Sequence, residues 1–191
     1  MKNIIFDTET GGLNPFSSAI CSISMKVCDE DIIKTWYIKK TDKREYNVEA
    51  MKINGLTFDY LNKHGMSEKD AIIDIISFLR ANNGSCDTSF PWYNSVIIGH
   101  NVLFDIQFMD SLFARNGYPL FSRYTHPHKI CTMIMINMLR LAGIVDIKSI
   151  SLSNCYKFFF GVNFDNQHTS SADVIATEKL YKRIIKFVGE K

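Results

Sequence analysis

Asp7-Thr8-Glu9-Thr10 follows directly on the apolar run Ile4-Ile5-Phe6, so two carboxylates stand at i and i+2 at the mouth of what reads as a buried strand. Residues two apart on a strand point to the same face. Two acids side by side repel, and the arrangement costs stability unless a cation neutralises it. Two more carboxylates stand at comparable junctions: Asp105, soon after Gly99-His100-Asn101, and Asp173, five residues after His168. Carboxylate oxygens suit hard divalent cations, and an imidazole titrates near neutral pH. Four acids and one histidine are therefore the materials of a site that binds metal and moves a proton.

The hydrophobic periods say what must position these residues. Asn3–Asp7, Ala19–Cys28 and Ile32–Lys39 read as strands separated by short gaps, with Cys21, Ile23, Met25 and Val27 on one face of the second, as in a meander. Ser67 to Ala81 reads as an amphipathic helix: a capping box at Ser67–Asp70 precedes Ile72, Ile75, Ile76 and Leu79, and Asn82-Asn83-Gly84-Ser85 ends it. Ser95–His100 is a short apolar run, as in a strand covered on both faces, and leads into a helix with Ile106, Met109, Leu112 and Phe113 on one side. Helices are expected over Cys131–Ala142, Leu152–Phe160 and about Ser171–Val188. In the last, Asp173 faces inward with Ala176, Leu180 and Ile184, while Glu178, Lys179, Lys182, Arg183 and Lys186 face solvent. Phe121–Lys129, with His126-Pro127-His128, reads as an exposed loop. The order predicts an α/β fold with a sheet of mixed direction.

Composition bounds the partners. The 191 residues are 46% hydrophobic and 22% charged with a net charge of +2, which suits one globular domain spanning residues 1–191 and gives no polybasic signature. A nucleic acid would have to be gripped by local patches. Cys21, Cys28, Cys86, Cys131 and Cys155 are odd in number and form no C-x-x-C pair, which favours reduced thiols and a cytoplasmic setting. The most apolar stretch, Ile130 to Val145, is broken by Asn137 and Arg140, so neither secretion nor a membrane partner is expected.

Three segments, Asp7-Thr8-Glu9-Thr10-Gly11-Gly12-Leu13, Gly99-His100-Asn101-Val102-Leu103-Phe104-Asp105 and His168-Thr169-Ser170-Ser171-Ala172-Asp173, closely resemble in order the three motifs of the DEDDh 3′→5′ exonucleases. That family includes polymerase proofreading subunits, RNase T and oligoribonuclease. The resemblance implies an RNase H-like fold, with a mixed five-stranded sheet of antiparallel meander and parallel strands flanked by helices. It implies that Asp7, Glu9, Asp105 and Asp173 hold two Mg²⁺ ions, with Mn²⁺ able to substitute, and that His168 is the general base. Thr8, Thr10, Asn101 and Phe104 would lie near the terminal nucleotide. Leu56, in a stretch that resembles the segment wedging against the terminal base in relatives, would do the same. The implied substrate is the 3′ end of single-stranded DNA or RNA, and the implied partners include a polymerase or another replication protein. The histidine subclass follows from His168 five before Asp173, since the tyrosine variant places Tyr four before, where Thr169 stands. Ser170 departs from the alanine common in relatives, and Cys131-Thr132 lacks their preceding Asp.

Each residue has a plainer reading. Asp7 and Glu9 could be solvated acids at a strand end, and Asp105 and Asp173 could simply favour helix N-termini. His100 suits hydrogen bonding at a strand end better than metal ligation. His126 and His128 suit an accessory metal pair only weakly. The basic cluster Lys39-Lys40 and Lys43-Arg44 fits a solvated hairpin and a phosphate contact equally well. The alternative function is a non-catalytic nucleic-acid-binding module on the same fold, which loss of an acid or of His168 would favour; none is lost. An aspartyl-nucleophile phosphohydrolase is disfavoured because Glu9 stands where that chemistry wants a second Asp.

Overall fold

The computed structural model describes residues 2–82 and 95–190. Among them run β1 (Asn3–Thr10), β2 (Ile20–Val27), β3 (Ile33–Tyr37), α1 (Val48–Asn54), α2 (Phe58–His64), α3 (Glu68–Ala81), β4 (Val96–Gly99), α4 (Val102–Arg115), a 3₁₀ turn at Phe121–Tyr124, β5 (Lys129–Cys131), α5 (Thr132–Leu141), α6 (Leu152–Phe160) and α7 (Ser170–Gly189). One five-stranded sheet has the order β3-β2-β1-β4-β5. β1, β2 and β3 pair antiparallel, and β4 and β5 add in parallel, so the mixed sheet expected from the sequence is the one observed.

Helices cover both faces because every residue of β4, and nearly every residue of β2, is buried. On one face Ile4 and Phe6 of β1 and Ile23 and Met25 of β2 join the apolar sides of α3 and α4 in the larger core. On the other, Ile5 and Ile98 meet Val174 of α7, which also packs with α5 and α6 through Ile136, Cys155, Leu180 and Ile184. The α3 periodicity is realised as read: Ser67 caps the helix by accepting from Asp70 N–H at 3.1 Å, and Ile72, Ile75, Ile76 and Leu79 are buried. The Asn82–Ser85 stop is reached only at Asn82; residues 83–85, like Cys86, lie outside the described residues.

Four expectations need correction. β1 continues past Asp7 to Thr10 because its pairing with β2 runs through Glu9 opposite Ser22 before the register shifts. The segment at Phe121–Lys129 is not an exposed loop: Phe121 and Thr125 are fully buried, the 3₁₀ turn packs Phe121 against Phe6 and Phe113, and Lys129 opens β5. The helix expected from Cys131 starts at Thr132, since Cys131 belongs to β5. Glu178 does not face solvent: it is 6% exposed and lies between Lys26 and Lys182, each at 2.9 Å. Burying an acid is tolerable when it is paired in this way.

Candidate active site

Alternation along β1 divides its polar residues between the two faces of the sheet. Asp7 and Glu9 share the α7 face with Ile5, whereas Thr8 shares the α4 face with Phe6. From the α7 side Asp173, in the first turn of that helix, brings its carboxylate to the pair: oxygens of Asp7, Glu9 and Asp173 all lie within 4.8 Å of one another. From the α4 side comes Asp105, 3% exposed. Thr8 fixes it doubly, donating from its backbone N–H at 3.0 Å and from its hydroxyl at 2.6 Å to Oδ1. Asp105 can stand there because the turn from β4 into α4 is tight. A Cβ on Gly99 would come within 2.8 Å of Val102 and 3.1 Å of the Phe6 carbonyl, and Asn101 enters the helix in the left-handed region at φ 63°.

The α7 end is held by hydroxyls. The Ser170 hydroxyl lies 2.9 Å from that of Ser22 and 2.8 Å from that of Ser24, which in turn lies 2.7 Å from Thr35 Oγ1. Ser22 and Ser24 stand directly opposite Glu9 and Asp7 on β2. The first turn of α7 is thus tied to the sheet beside the acids through Ser170. His168 precedes it at φ 67°, a conformation uncommon for a residue with a side chain. Its ring is exposed, and its loop is pinned by the Ser153 hydroxyl donating to Gln167 Oε1 at 2.8 Å.

The electrostatics are those of a cation site. Burial, then the charges of Asp105, Asp173 and Glu9, push Asp7 well above the carboxylate range. Burial and the charges of Asp173 and Asp105 push Glu9 up to about 8. Burial raises Asp105 to about 7 even against the two Thr8 hydrogen bonds. Asp173 rises to about 6 by burial, with His168 opposing, and its buried Oδ1 has no hydrogen-bond partner among the described residues. Four carboxylates raised by burial, three of them also by a neighbouring acid and the fourth with an orphaned oxygen, fit divalent ions. The other grouping of ligand-type side chains among the described residues, Cys28, Asp29 and Glu178, differs because Lys26 and Lys182 already neutralise it.

The remaining expected residues take varied places. Thr10 turns its hydroxyl to the Gly12 carbonyl at 2.7 Å. Phe104 is half-buried against Phe108, Asn101 is exposed, and Leu56 is half-buried after Gly55. Beside Thr10 opens a cleft of about 720 Å³ walled by Gly11, Gly12, Leu13, Tyr46, Ala50 and Ile53, with Leu13 85% exposed. Leu56 does not line it. Asn54, missed in the sequence, ties α1 to the cleft through Nδ2 to the Thr10 carbonyl at 3.3 Å. His100 contacts Thr132 Oγ1 at 2.9 Å and the Ile150 carbonyl at 2.8 Å, the hydrogen-bonding role expected of it. His126 Nδ1 accepts from His128 N–H at 3.1 Å, and among the described residues no third ligand joins the two.

The sequence model of the family described as Exonuclease matches residues 4–181. Ribonuclease T of Shewanella denitrificans is 25% identical over 95% of this chain and 79% of its own length; that of Haemophilus influenzae (strain KW20) is 23% identical over 93% and 76%. Among solved structures, E. coli exonuclease I in complex with a dT13 oligonucleotide superimposes with a TM-score of 0.79 at 21% identity, covering 99% of this chain and 43% of that one. A zinc-bound E. coli exonuclease I–ssDNA complex gives 0.79 at 19%, covering 100% and 41%. This chain spans about two-fifths of those exonuclease I chains, whose likeness shows a shared fold. With the family model matching residues 4–181 of this chain and Asp7, Glu9 and Asp173 gathered at the C-terminal end of the central strand β1, the chain belongs to the DEDDh-type 3′→5′ exonuclease family.

Proposed function

We propose that residues 1–191 act as one metal-dependent exonuclease domain that removes nucleotides from the 3′ end of single-stranded DNA or RNA as 5′-mononucleotides. The observation that carries this reading is the convergence of Asp7, Glu9 and Asp173, their carboxylate oxygens within 4.8 Å of one another, with Asp105 held by Thr8 on the adjoining face of β1. Asp7, Glu9, Asp105 and Asp173 would hold two divalent ions, Mg²⁺ or Mn²⁺. Such ions, when bound, neutralise the scissile phosphate and acidify an attacking water.

The chain's own groups do the rest. Thr8 holds Asp105 in place, and the Ser170 hydroxyl holds the start of α7 so that Asp173 faces Asp7 and Glu9. An imidazole nitrogen of His168 takes one proton from the water as its oxygen bonds to the terminal phosphorus. The bond from that phosphorus to the penultimate 3′ oxygen breaks, the 3′ oxygen takes up a proton, and the terminal residue leaves with a 5′-phosphate. The exposed Leu13 and Ile53 side chains beside Thr10 offer apolar surface for the terminal base.

Three of the described cysteines are buried, and all four are unpaired, which agrees with a cytoplasmic setting; among the described residues no helix is long and apolar enough to cross a membrane. The test is incubation with matched single-stranded DNA and RNA carrying either a free 3′ hydroxyl or a 3′-phosphate, in Mg²⁺, Mn²⁺ or EDTA. Stepwise loss from the free 3′ end with either metal, slowed by the phosphate and absent in EDTA, is the expected result. Equal cutting of a circular single strand would overturn it.

A further inference from the structure

The loop between β3 and α1 concentrates charge that the four acids do not use. Lys39, Lys40, Lys43 and Arg44, with Arg115 at the end of α4, line a cleft of about 370 Å³. Glu68 is the one acid among its lining residues and is already engaged by Arg115, Nη2 to Oε1 at 2.6 Å; of the two acids within the loop, Asp42 pairs with Lys40 and Glu45 accepts from the Ser17 hydroxyl at 2.6 Å. Five cations against these three acids leave an excess of two positive charges, as large as the net +2 of the whole chain. The charge of this protein is therefore local.

The loop is not a loose hairpin. Thr41 N–H donates to the Tyr46 hydroxyl at 3.0 Å, Lys39 N–H to the Met66 carbonyl at 2.9 Å, and Arg44 Nη1 to the Phe16 carbonyl at 2.8 Å. Lys39 and Lys43 are left exposed, and among the described residues no hydrogen bond or ion pair engages their ammonium groups. The same loop then becomes a wall of the cleft beside the acids. Asn47 N–H donates to the Gly11 carbonyl at 2.6 Å, and a Cβ on Gly11 would lie 3.2 Å from the Tyr46 ring. Tyr46 thus reaches from Gly11, two residues beyond Glu9, to Thr41 in the basic loop. A largely apolar cleft and a basic one, bridged by Tyr46, are the combination by which proteins hold single strands, with bases on apolar surface and phosphates on cations.

We propose that the cleft of Lys39, Lys40, Lys43, Arg44 and Arg115 binds the upstream phosphates of the single strand whose 3′ end lies at Asp7, Glu9, Asp105 and Asp173, a proposal that rests on the exonuclease reading. A whole Tyr46 side chain separates the two ends, so the cleft serves phosphates upstream of the terminal nucleotide. A dinucleotide ends before it, and a 15-mer passes over it.

The test is the double variant Lys39→Glu/Lys43→Glu, assayed on a dinucleotide and a 15-mer of matched DNA and RNA. The expected result is a KM for the 15-mer raised on the order of ten-fold relative to that for the dinucleotide, with kcat retained. In EDTA, the dependence of log K on log salt for the 15-mer should flatten by roughly 1.4, about 0.7 per cation lost. The charge-matched control Lys179→Glu/Lys186→Glu, on α7, should change neither. A 15-mer KM and salt slope equal to wild type, or an equal effect from the control, overturns the proposal while leaving the exonuclease reading intact. A wild-type protein that degrades neither probe overturns that reading and this proposal with it.

Discussion

Glu9→Gln should make the metal-free protein more stable at pH 8 and leave it nearly unchanged at pH 5. Burial and the neighbouring Asp173 and Asp105 raise Glu9 from 4.5 to about 8. A folded pKa above the unfolded one means that the folded state binds the extra proton, so stability is full below about pH 4.5 and is lost as pH rises through about 8. At about 1.36 kcal/mol per unit the whole shift sets a ceiling of about 5 kcal/mol. The four acids share protons, so one carboxylate accounts for only part, and about 2–3 kcal/mol is the working value. For a chain of this size that is a rise in Tm of about 4–12 °C for the variant. Glu68, Asp74 and Glu178 have lowered pKa values and contribute in the opposite sense, so the informative quantity is the difference between the two proteins. The assay is thermal unfolding in EDTA from pH 5 to 8, repeated with Mg²⁺ or Mn²⁺. Metal should raise the wild-type Tm more at pH 8 than at pH 6, and raise that of the variant less. A variant no more stable than wild type at pH 8 in EDTA, or a difference that does not change with pH, would refute the reasoning.

Asp7→Asn should fold and lose nearly all nuclease activity, because an amide cannot replace a shared carboxylate ligand; circular dichroism and a labelled-oligonucleotide assay check the two halves. Thr8→Val removes the 2.6 Å hydroxyl bond to Asp105 and should weaken Mn²⁺ binding by about 10–100-fold, read by calorimetry. His168→Ala should lower kcat by about 10²–10⁴-fold with little change in oligonucleotide affinity; unchanged turnover would make it an ordinary loop histidine. Ser170→Ala, which leaves Ser22 and Ser24 short of a partner, should cost about 1–3 kcal/mol in denaturant unfolding, and an unaltered midpoint would deny the hydroxyl tie.

What was legible in the sequence followed from periodicity and from residue type. The α3 and α4 stripes, the apolar β4 and the Asp7/Glu9 spacing each name an environment, and each was found in it. α1 and α2 left no such trace: Asn54 and Leu61 are their one buried residue each, so neither has an apolar face to read. β5 has three residues and takes its place from parallel pairing with β4, a non-local fact. Glu178 misled because a helix position with charged neighbours suggests solvent, whereas Lys26 arrives from β2, far away in sequence. The Ser22/Ser24/Ser170 tie was hidden for the same reason. Alternating serines opposite Cys21, Ile23 and Met25 look like a solvated face until α7 is laid over them.

The most direct test of the central claim is mass spectrometry of the products formed from a single-stranded 15-mer in ¹⁸O-water, with Mg²⁺, by wild type and by Asp7→Asn purified in parallel. The account predicts 5′-mononucleotides carrying one ¹⁸O in the phosphate, shortened strands ending in an unlabelled 3′ hydroxyl, and no product from Asp7→Asn. Label in a 3′-phosphate, internal fragments without mononucleotides, or equal turnover by Asp7→Asn would contradict it.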